Sequence, residues 1–316
     1  MQPIKAEIHI DVAMTNVSIA YKNAFWVADR VFPIVPVTKD SDKYFTFDRG
    51  PWFRDDMKTR GPGAKSAESG YGMGSGTYNC VEMALKKLVT DEERNNADAP
   101  LRPDTVATEF LTNAAMLSKE RKVAAIVTAW TATEDAAGLW APAGSTNTVI
   151  ADIATGKSTI RRAIGRYPNK LLIDSKTFED LKNVDDILQR IKYSGGPGSP
   201  AIVTAQALAA IFELDEVLVG GAIYSSAEET AAGDDFTALD VWDKTATKGI
   251  GFLFYAPSSP TLMDPAAGYI IQSKPRTIDR WRLIDEKSDV LRISESYAVE
   301  QTSVNAGYLF TDTHLT

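Results

Sequence analysis

From Asp104 to Trp130 the chain runs without a proline or glycine, as DTVATEFLTNAAMLSKERKVAAIVTAW, and no other stretch constrains the architecture as strongly. Pro103 precedes it, and Asp104 or Thr105 is placed to cap the first free backbone N–H groups. Val106, Phe110, Ala114 and Leu117 fall at helical spacing, and Val123, Ile126, Val127 and Trp130 continue an apolar stripe. At 1.5 Å per residue such a helix extends about 40 Å, more than a compact domain of this size needs. The charged cluster Lys119-Glu120-Arg121-Lys122 at its middle reads either as a solvated face or as a face that meets another subunit. A spine with one exposed side suits a flattened molecule better than a globule.

The 316 residues leave room for about two ordinary domains or one elaborate one. No apolar run approaches the roughly 18 residues of a membrane span. The first residues, MQPIKAEIHID, have neither a basic nor an apolar region of the kind a secretory signal requires. Cys80 is the one cysteine, which excludes an internal disulfide and any multi-cysteine metal site and implies a reducing compartment. A net charge of −8 argues against a dedicated nucleic-acid binder, whose affinity rests on neutralising phosphates. It leaves open a protein that encloses nucleic acid without gripping it.

In chain order, residues 1–38 read as an arm. Pro33 and Pro36 favour an extended course, and the arm's short apolar pieces have too little to bury alone. Residues 39–100 read as a long β-hairpin. Its outgoing strand is Lys43–Asp48 and its return strand Thr77–Leu85, followed by a charged link, Asp91–Arg94. Between them lies a tip, Arg54–Gly76, rich in glycine and carrying Arg54, Lys58, Arg60 and Lys65. A tip so long usually marks a functional or partner-ordered segment. Leu139–Ser158 reads as a loop and connector. Residues 159–258 have an alternating α/β texture, with strands at Leu171–Asp174, Glu216–Val219 and Ile250–Tyr255. Helices are expected at Ser175–Leu181, Val184–Tyr193 and Thr204–Phe212, the last capped by Thr204. Ser225–Asp235 reads as a surface loop. Gly268–Phe310 is strand-rich, with pieces at Tyr269–Gln272, Ile278–Leu283 and Val290–Ser294.

Catalytic chemistry is absent from this pattern. The two histidines, His9 and His314, lie near the chain ends, where a histidine is far more often solvent-exposed than catalytic, and no metal-ligand spacing occurs. Ala154-Thr155-Gly156-Lys157-Ser158 imitates the end of a phosphate-binding loop, but Ala151 stands where the first glycine belongs and no strand precedes it, so Gly156 reads as a turn. Adjacent carboxylates such as Asp55-Asp56 and Asp185-Asp186 form no calcium-loop pattern. No catalytic, cofactor-binding or metal residue is assigned, and a binding or structural protein is expected.

Taken together, the order of parts resembles the major capsid proteins of tailed bacteriophages. The likeness is carried by VFPIVPVTKDSDKYFTFD, by the basic glycine-rich hairpin returning through TYNCVEMALKKLVTDEERNNAD, and by the helix with LSKERKVA. The later stretches YPNKLLIDSKTFEDL, AQALAAIFELDEVLVGGAIY and GIGFLFYAP fit the same family. The resemblance implies an α+β Hong Kong 97-like capsid fold. Residues 1–40 would be its N-arm, 41–100 its extended E-loop, 101–145 with 259–316 its P-domain, and 146–258 its A-domain. It implies hexamers and pentamers closing an icosahedral shell around double-stranded DNA, in a virion assembled in the bacterial host cytoplasm. A separate scaffolding protein, a portal and in some cases a decoration protein would be its partners, with no membrane and no cofactor. Arg54, Lys58, Arg60 and Lys65 of the tip, with Glu120 and Arg121 of the helix, become the candidate inter-subunit contacts. Some relatives cross-link a loop lysine to an asparagine; Lys58 and Lys65 lie in the corresponding loop, but no partner asparagine is identifiable, and that activity is not carried over. Two other readings stand beside this one. An encapsulin-type compartment would use the same fold to enclose protein cargo, and a nucleotide-dependent enzyme would use Gly156-Lys157-Ser158.

Overall fold

The computed structural model describes residues 23–97, 101–131, 133–137, 140–141, 147–194, 202–227, 236–244, 248–259 and 264–314. The first part of the arm, His9 and most of the Ser225–Asp235 loop lie outside them. The described chain opens with a short helix α1 (Ala28–Val31) and strand β1 (Ile34–Pro36). A hairpin follows, made of β2 (Ser41–Phe47), the single turn α2 (Arg49–Trp52) and β3 (Met73–Asn79). Strand β4 (Val81–Thr90), helix α3 (Asp91–Asn96) and the long helix α4 (Pro103–Thr128) come next, then the short strand β5 (Thr133–Asp135). Helix α5 (Val149–Ile164) leads to β6 (Lys170–Asp174), α6 (Ser175–Leu181), α7 (Asp185–Ser194), α8 (Ala205–Phe212) and β7 (Glu216–Gly220). The small pair β8 (Ile223–Ser225) and β9 (Ala238–Asp240) precedes β10 (Ile250–Phe254), and the chain ends with β11 (Gly268–Leu283), β12 (Ser288–Gln301) and β13 (Gly307–Thr311).

Two larger sheets organise these elements. One has the order β1-β11-β12-β4; the other, mixed in direction, has the order β5-β13-β10-β6-β7. Strand β10 sits at the centre of the second sheet and is buried on both faces, which explains its unbroken apolar sequence. Its period of two sends Ile250, Phe252 and Phe254 into a core shared with α1 and the end of α4, and Leu253 into a core covered by α5 to α8. The sheet therefore separates two apolar layers.

Several expectations from sequence give way here. The spine is present as α4, but Arg102 is its N-cap and Pro103 its first helical residue. Asp104 instead pairs with Arg94 at 2.7 Å. Val106 and Phe110 face solvent, while Ala107, Leu111, Val123 and Val127 are buried. The buried row thus advances four residues at a time, through Ala107, Leu111, half-buried Ala115, Lys119, Val123 and Val127. Four residues overshoot the 3.6 of a turn, so the row winds around the helix. The first half of α4 accordingly packs on β4 and β12, through Val89, Leu291 and Ile293, and the second half on the shared core. The same row carries Lys119 inside, and Glu120 lies beside it at 1% exposure, so that half of the charged cluster is not a solvated face.

The return of the hairpin is two strands rather than one. After Asn79 the chain leaves β2 at Cys80, and β4 pairs along its length with β12. The charged link is helix α3, closed by a capping box in which Thr90 and Glu93 exchange hydrogen bonds of 3.1 and 3.2 Å. The expected connector Leu139–Ser158 contains the first ten residues of α5, and Gly156 lies inside that helix, not in a turn. A Cβ there would meet the Phe310 ring at 2.9 Å and Leu253 at 3.1 Å, so close helix–sheet approach accounts for the glycine. The pieces expected at 269–272 and 278–283 are one strand, β11, with a break in register around Pro275, which has no N–H to donate. Strands β5 and β13 fall within the ranges 101–145 and 259–316 yet belong to the sheet of residues 170–254.

Candidate functional site: an exposed hairpin and helix face

The β2–β3 hairpin forms a two-stranded sheet of its own, from Ser41 opposite Asn79 to Phe47 opposite Met73. Glycines on β3 let the aromatic residues of β2 lie close. A Cβ on Gly76 would stand 2.3 Å from the Tyr44 ring. Beyond the pair, Phe47, Trp52 and Tyr71 form a ring cluster with centroids 5.7–6.2 Å apart. Trp52 and Tyr71, together with Phe45, Phe53, Met57 and Met73, expose an apolar surface that the other described residues do not cover, Met57 being 91% exposed. Exposed apolar area on this scale marks an interaction site.

The sequence-predicted basic residues are on the same tip. Arg54, Lys58, Arg60 and Lys65 are all exposed, and none forms an ion pair with another described residue. Arg60 donates to the Ala64 carbonyl at 2.5 Å and so shapes the turn at Gly61–Ala64, where Gly63 adopts φ +78°. The tip is anchored near its base, where Arg49 donates to the Ala163 carbonyl at 3.2 Å and Phe53 lies over Gly165 at the end of α5.

Helix α4 contributes a second exposed surface through Val106 and Phe110, near Leu101, and β4 a third through Val81 and Leu85. Arg121 remains exposed, its guanidinium 4.3 Å from the centre of the Tyr224 ring. Glu120 does not share this surface. One of its carboxylate oxygens accepts from the backbone N–H of Val27 at 3.0 Å and from the Trp242 indole at 2.8 Å; the other accepts from Ala28 at 3.0 Å. Burial pushes its carboxyl above the ordinary range against these three donors. Lys119 faces Asp29 at 3.5 Å and buried Glu295 at 3.7 Å. Glu120 is therefore an internal anchor for residues 27–28 and is corrected from the inter-subunit candidates. Its signal in the sequence, a charge within the apolar period of a helix, matches that of a solvated face.

The phosphate-loop reading of Gly156-Lys157-Ser158 is excluded by geometry. These residues lie within α5, and Lys157 is engaged by the Phe212 carbonyl at 2.9 Å and by Glu213 at 2.8 Å. His314, expected at the surface, is 2% exposed beside Asp174 and Asp243. No spacing rule joins residues 174, 243 and 314, since only the fold brings them together.

No family model matches the chain. It is 28% identical over 312 residues to the major capsid protein of Burkholderia phage BcepMu, with 95% of each chain covered. A crystal structure of a phage-related protein from Bordetella bronchiseptica RB50 superposes with a TM-score of 0.67 at 23% identity, covering 97% of this chain and 98% of that one. The capsid structure of the cyanophage P-SCSP1u gives a TM-score of 0.63 at 12% identity, covering 96% and 93%.

Proposed function

We propose that this chain, which has the α+β Hong Kong 97-like capsid fold and is related over its length to phage major capsid proteins, is the shell-forming subunit of a phage head that encloses viral DNA. Its role is structural and not enzymatic. The observation that carries the reading is the full-length likeness to a phage major capsid protein. The apolar, basic hairpin tip, which needs neighbours to cover it, accords with that likeness.

In finer detail, the subunits form hexamers and pentamers of an icosahedral shell around double-stranded DNA, assembled in the bacterial cytoplasm with separate scaffolding and portal proteins and, in some heads, a decoration protein. Residues 1–40 act as the N-arm and the hairpin as the E-loop laid on an adjacent subunit, with Arg54, Lys58, Arg60 and Lys65 at that contact and Arg121 at another. The four-stranded sheet with α4 serves as the peripheral unit, and the five-stranded sheet with α5 to α8 as the axial one. The net charge of −8 suits a wall that holds DNA without binding it tightly, since carboxylates and phosphates repel.

Electron microscopy of the full chain, expressed with and without its neighbouring gene products, tests the reading. Closed shells or capsomer rings are expected, and a discrete small oligomer under every condition refutes it. Replacing residues 54–70 with a short Gly-Ser linker should leave a folded subunit that makes no stable shell. Intact shells from that variant would remove the tip from the assembly contact.

A further inference from the structure

Among the described residues, Asp174, Asp243 and His314 bring one ligand atom each within 4.8 Å of one another. Asp174 is held rigidly at the end of β6. Its Oδ1 accepts from the Thr177 hydroxyl at 2.5 Å and the Ile250 N–H at 3.0 Å, and its Oδ2 accepts from the Thr177 N–H at 2.9 Å. The remaining capacity of Oδ2 faces His314 Nε2 at 3.7 Å. His314 is buried, and neither of its ring nitrogens has a hydrogen-bond partner among the described residues. A buried imidazole with both nitrogens unpaired is costly to keep.

The spacing is informative. At 3.7 Å the Asp174–His314 pair is too long for a hydrogen bond. Two ligands of one tetrahedral ion, each bonded at roughly 2.0–2.2 Å, stand about 3.3–3.6 Å apart, so for this pair a small closure suffices. Asp243 completes the set from a half-buried loop position. Asp174 and Asp240 are the carboxylates that act on it. Lys176 acts on the group, but Asp180 adds a further acid that interacts with Asp174 and His314. Gly249 opens the space: a Cβ there would lie 2.3 Å from the His314 ring, 2.6 Å from Thr313 Oγ1 and 2.7 Å from Asp174 Oδ1.

We propose that Asp174, Asp243 and His314 bind a divalent first-row transition-metal cation, with zinc as the best chemical fit, and so fasten the end of the chain to the N-terminus of α6 and the loop before β10. Two carboxylates and one imidazole suit zinc, manganese or cobalt better than calcium, which takes six to eight oxygens. Such an ion supplies a partner for a histidine nitrogen and neutralises the carboxylates together.

The test uses the full-length unassembled subunit, stripped with a chelator and dialysed, then titrated with zinc chloride by calorimetry and with cobalt(II) by visible absorption. Saturable binding near one equivalent of zinc per chain is expected, with a ligand-field band for cobalt. Asp243→Asn and His314→Ala should each weaken zinc binding more than about tenfold, whereas His9→Ala should leave it unchanged. Far-UV circular dichroism follows the fold of each variant; if His314→Ala unfolds, the more exposed Asp243→Asn decides alone. No saturable binding to the wild-type chain, or equal affinity in Asp243→Asn, overturns the proposal. The readout requires no shell and is independent of the capsid reading.

Discussion

Replacing Glu120 separates an internal role from an assembly role. In Glu120→Ala the N–H groups of Val27 and Ala28 and the Trp242 indole lose their acceptor in a site that water does not reach. Each stranded donor costs about 1–3 kcal/mol, a gross loss of roughly 3–9 kcal/mol. Part is returned, because the variant no longer buries a carboxyl whose ionisation burial disfavours. A net loss of about 3–5 kcal/mol is expected, in keeping with other broken buried networks. For a chain of this size that corresponds to a melting point lower by roughly 5–8 °C. Glu120→Gln keeps one acceptor oxygen but turns an amide NH2 toward an N–H donor, so it should fall between Ala and the wild type. Thermal and urea unfolding of unassembled subunits, followed by circular dichroism, provides the assay. Arg121→Ala is the control, because an exposed cation–π contact is worth about 0.5–1 kcal/mol. If Glu120→Ala unfolds within about 0.5 kcal/mol of the wild type, as ordinary surface changes do, then the carboxylate does not anchor residues 27–28 and the argument fails.

Other outcomes follow from the same packing. Gly156→Val should destabilise the subunit by about 2 kcal/mol or more, since its side chain must displace Phe310 and Leu253 from a filled core, and urea denaturation measures it. Nucleotide titration of the wild-type chain should show no binding dependent on Lys157, which already serves Phe212 and Glu213. A pH dependence is expected where α3 meets the β11–β12 hairpin. Hydrogen bonds from Arg282 hold the Asp91 carboxyl below its ordinary value, and those from Arg280 do the same for Asp289. A lowered folded value means the native state binds fewer protons than the unfolded one, so this stability is complete above the ordinary carboxyl range. It is lost as pH falls through the lowered values. Melting points measured downward from pH 5 should therefore drop less steeply in Arg282→Ala than in the wild type, and parallel curves would refute the assignment.

Elements whose signal is local were legible in the sequence. An unbroken stretch without Pro or Gly specified α4, Thr204 was recognisable as the cap of α8, and the aromatic, β-branched runs of β2, β6, β7 and β10 read as strands. In the first half of α4 periodicity named a face one residue away from the buried one, whereas Val123, Val127 and Trp130 of the second half are buried as expected; one residue turns a helix by about 100°. The choice between rows such as 106–110 and 107–111 rests on what lies opposite, namely β4 and β12, and no local pattern contains that. The same limit explains Gly156, which local rules read as a turn until Phe310 and Leu253 are placed against it.

By itself, then, the sequence determined α4, α6 to α8, the strands β2, β6, β7 and β10 and an α+β chain with a glycine-rich hairpin, because propensity, capping and turn chemistry act within a few residues. Tertiary structure alone decided that β5 and β13 join the sheet of β10, that Glu120 lies inside holding Val27, Ala28 and Trp242, and that His314 meets Asp174 and Asp243. Those pairings join residues up to 176 positions apart, as Thr133 with Leu309. Their energies arise from burial and mutual desolvation, which exist only once the chain has closed around them.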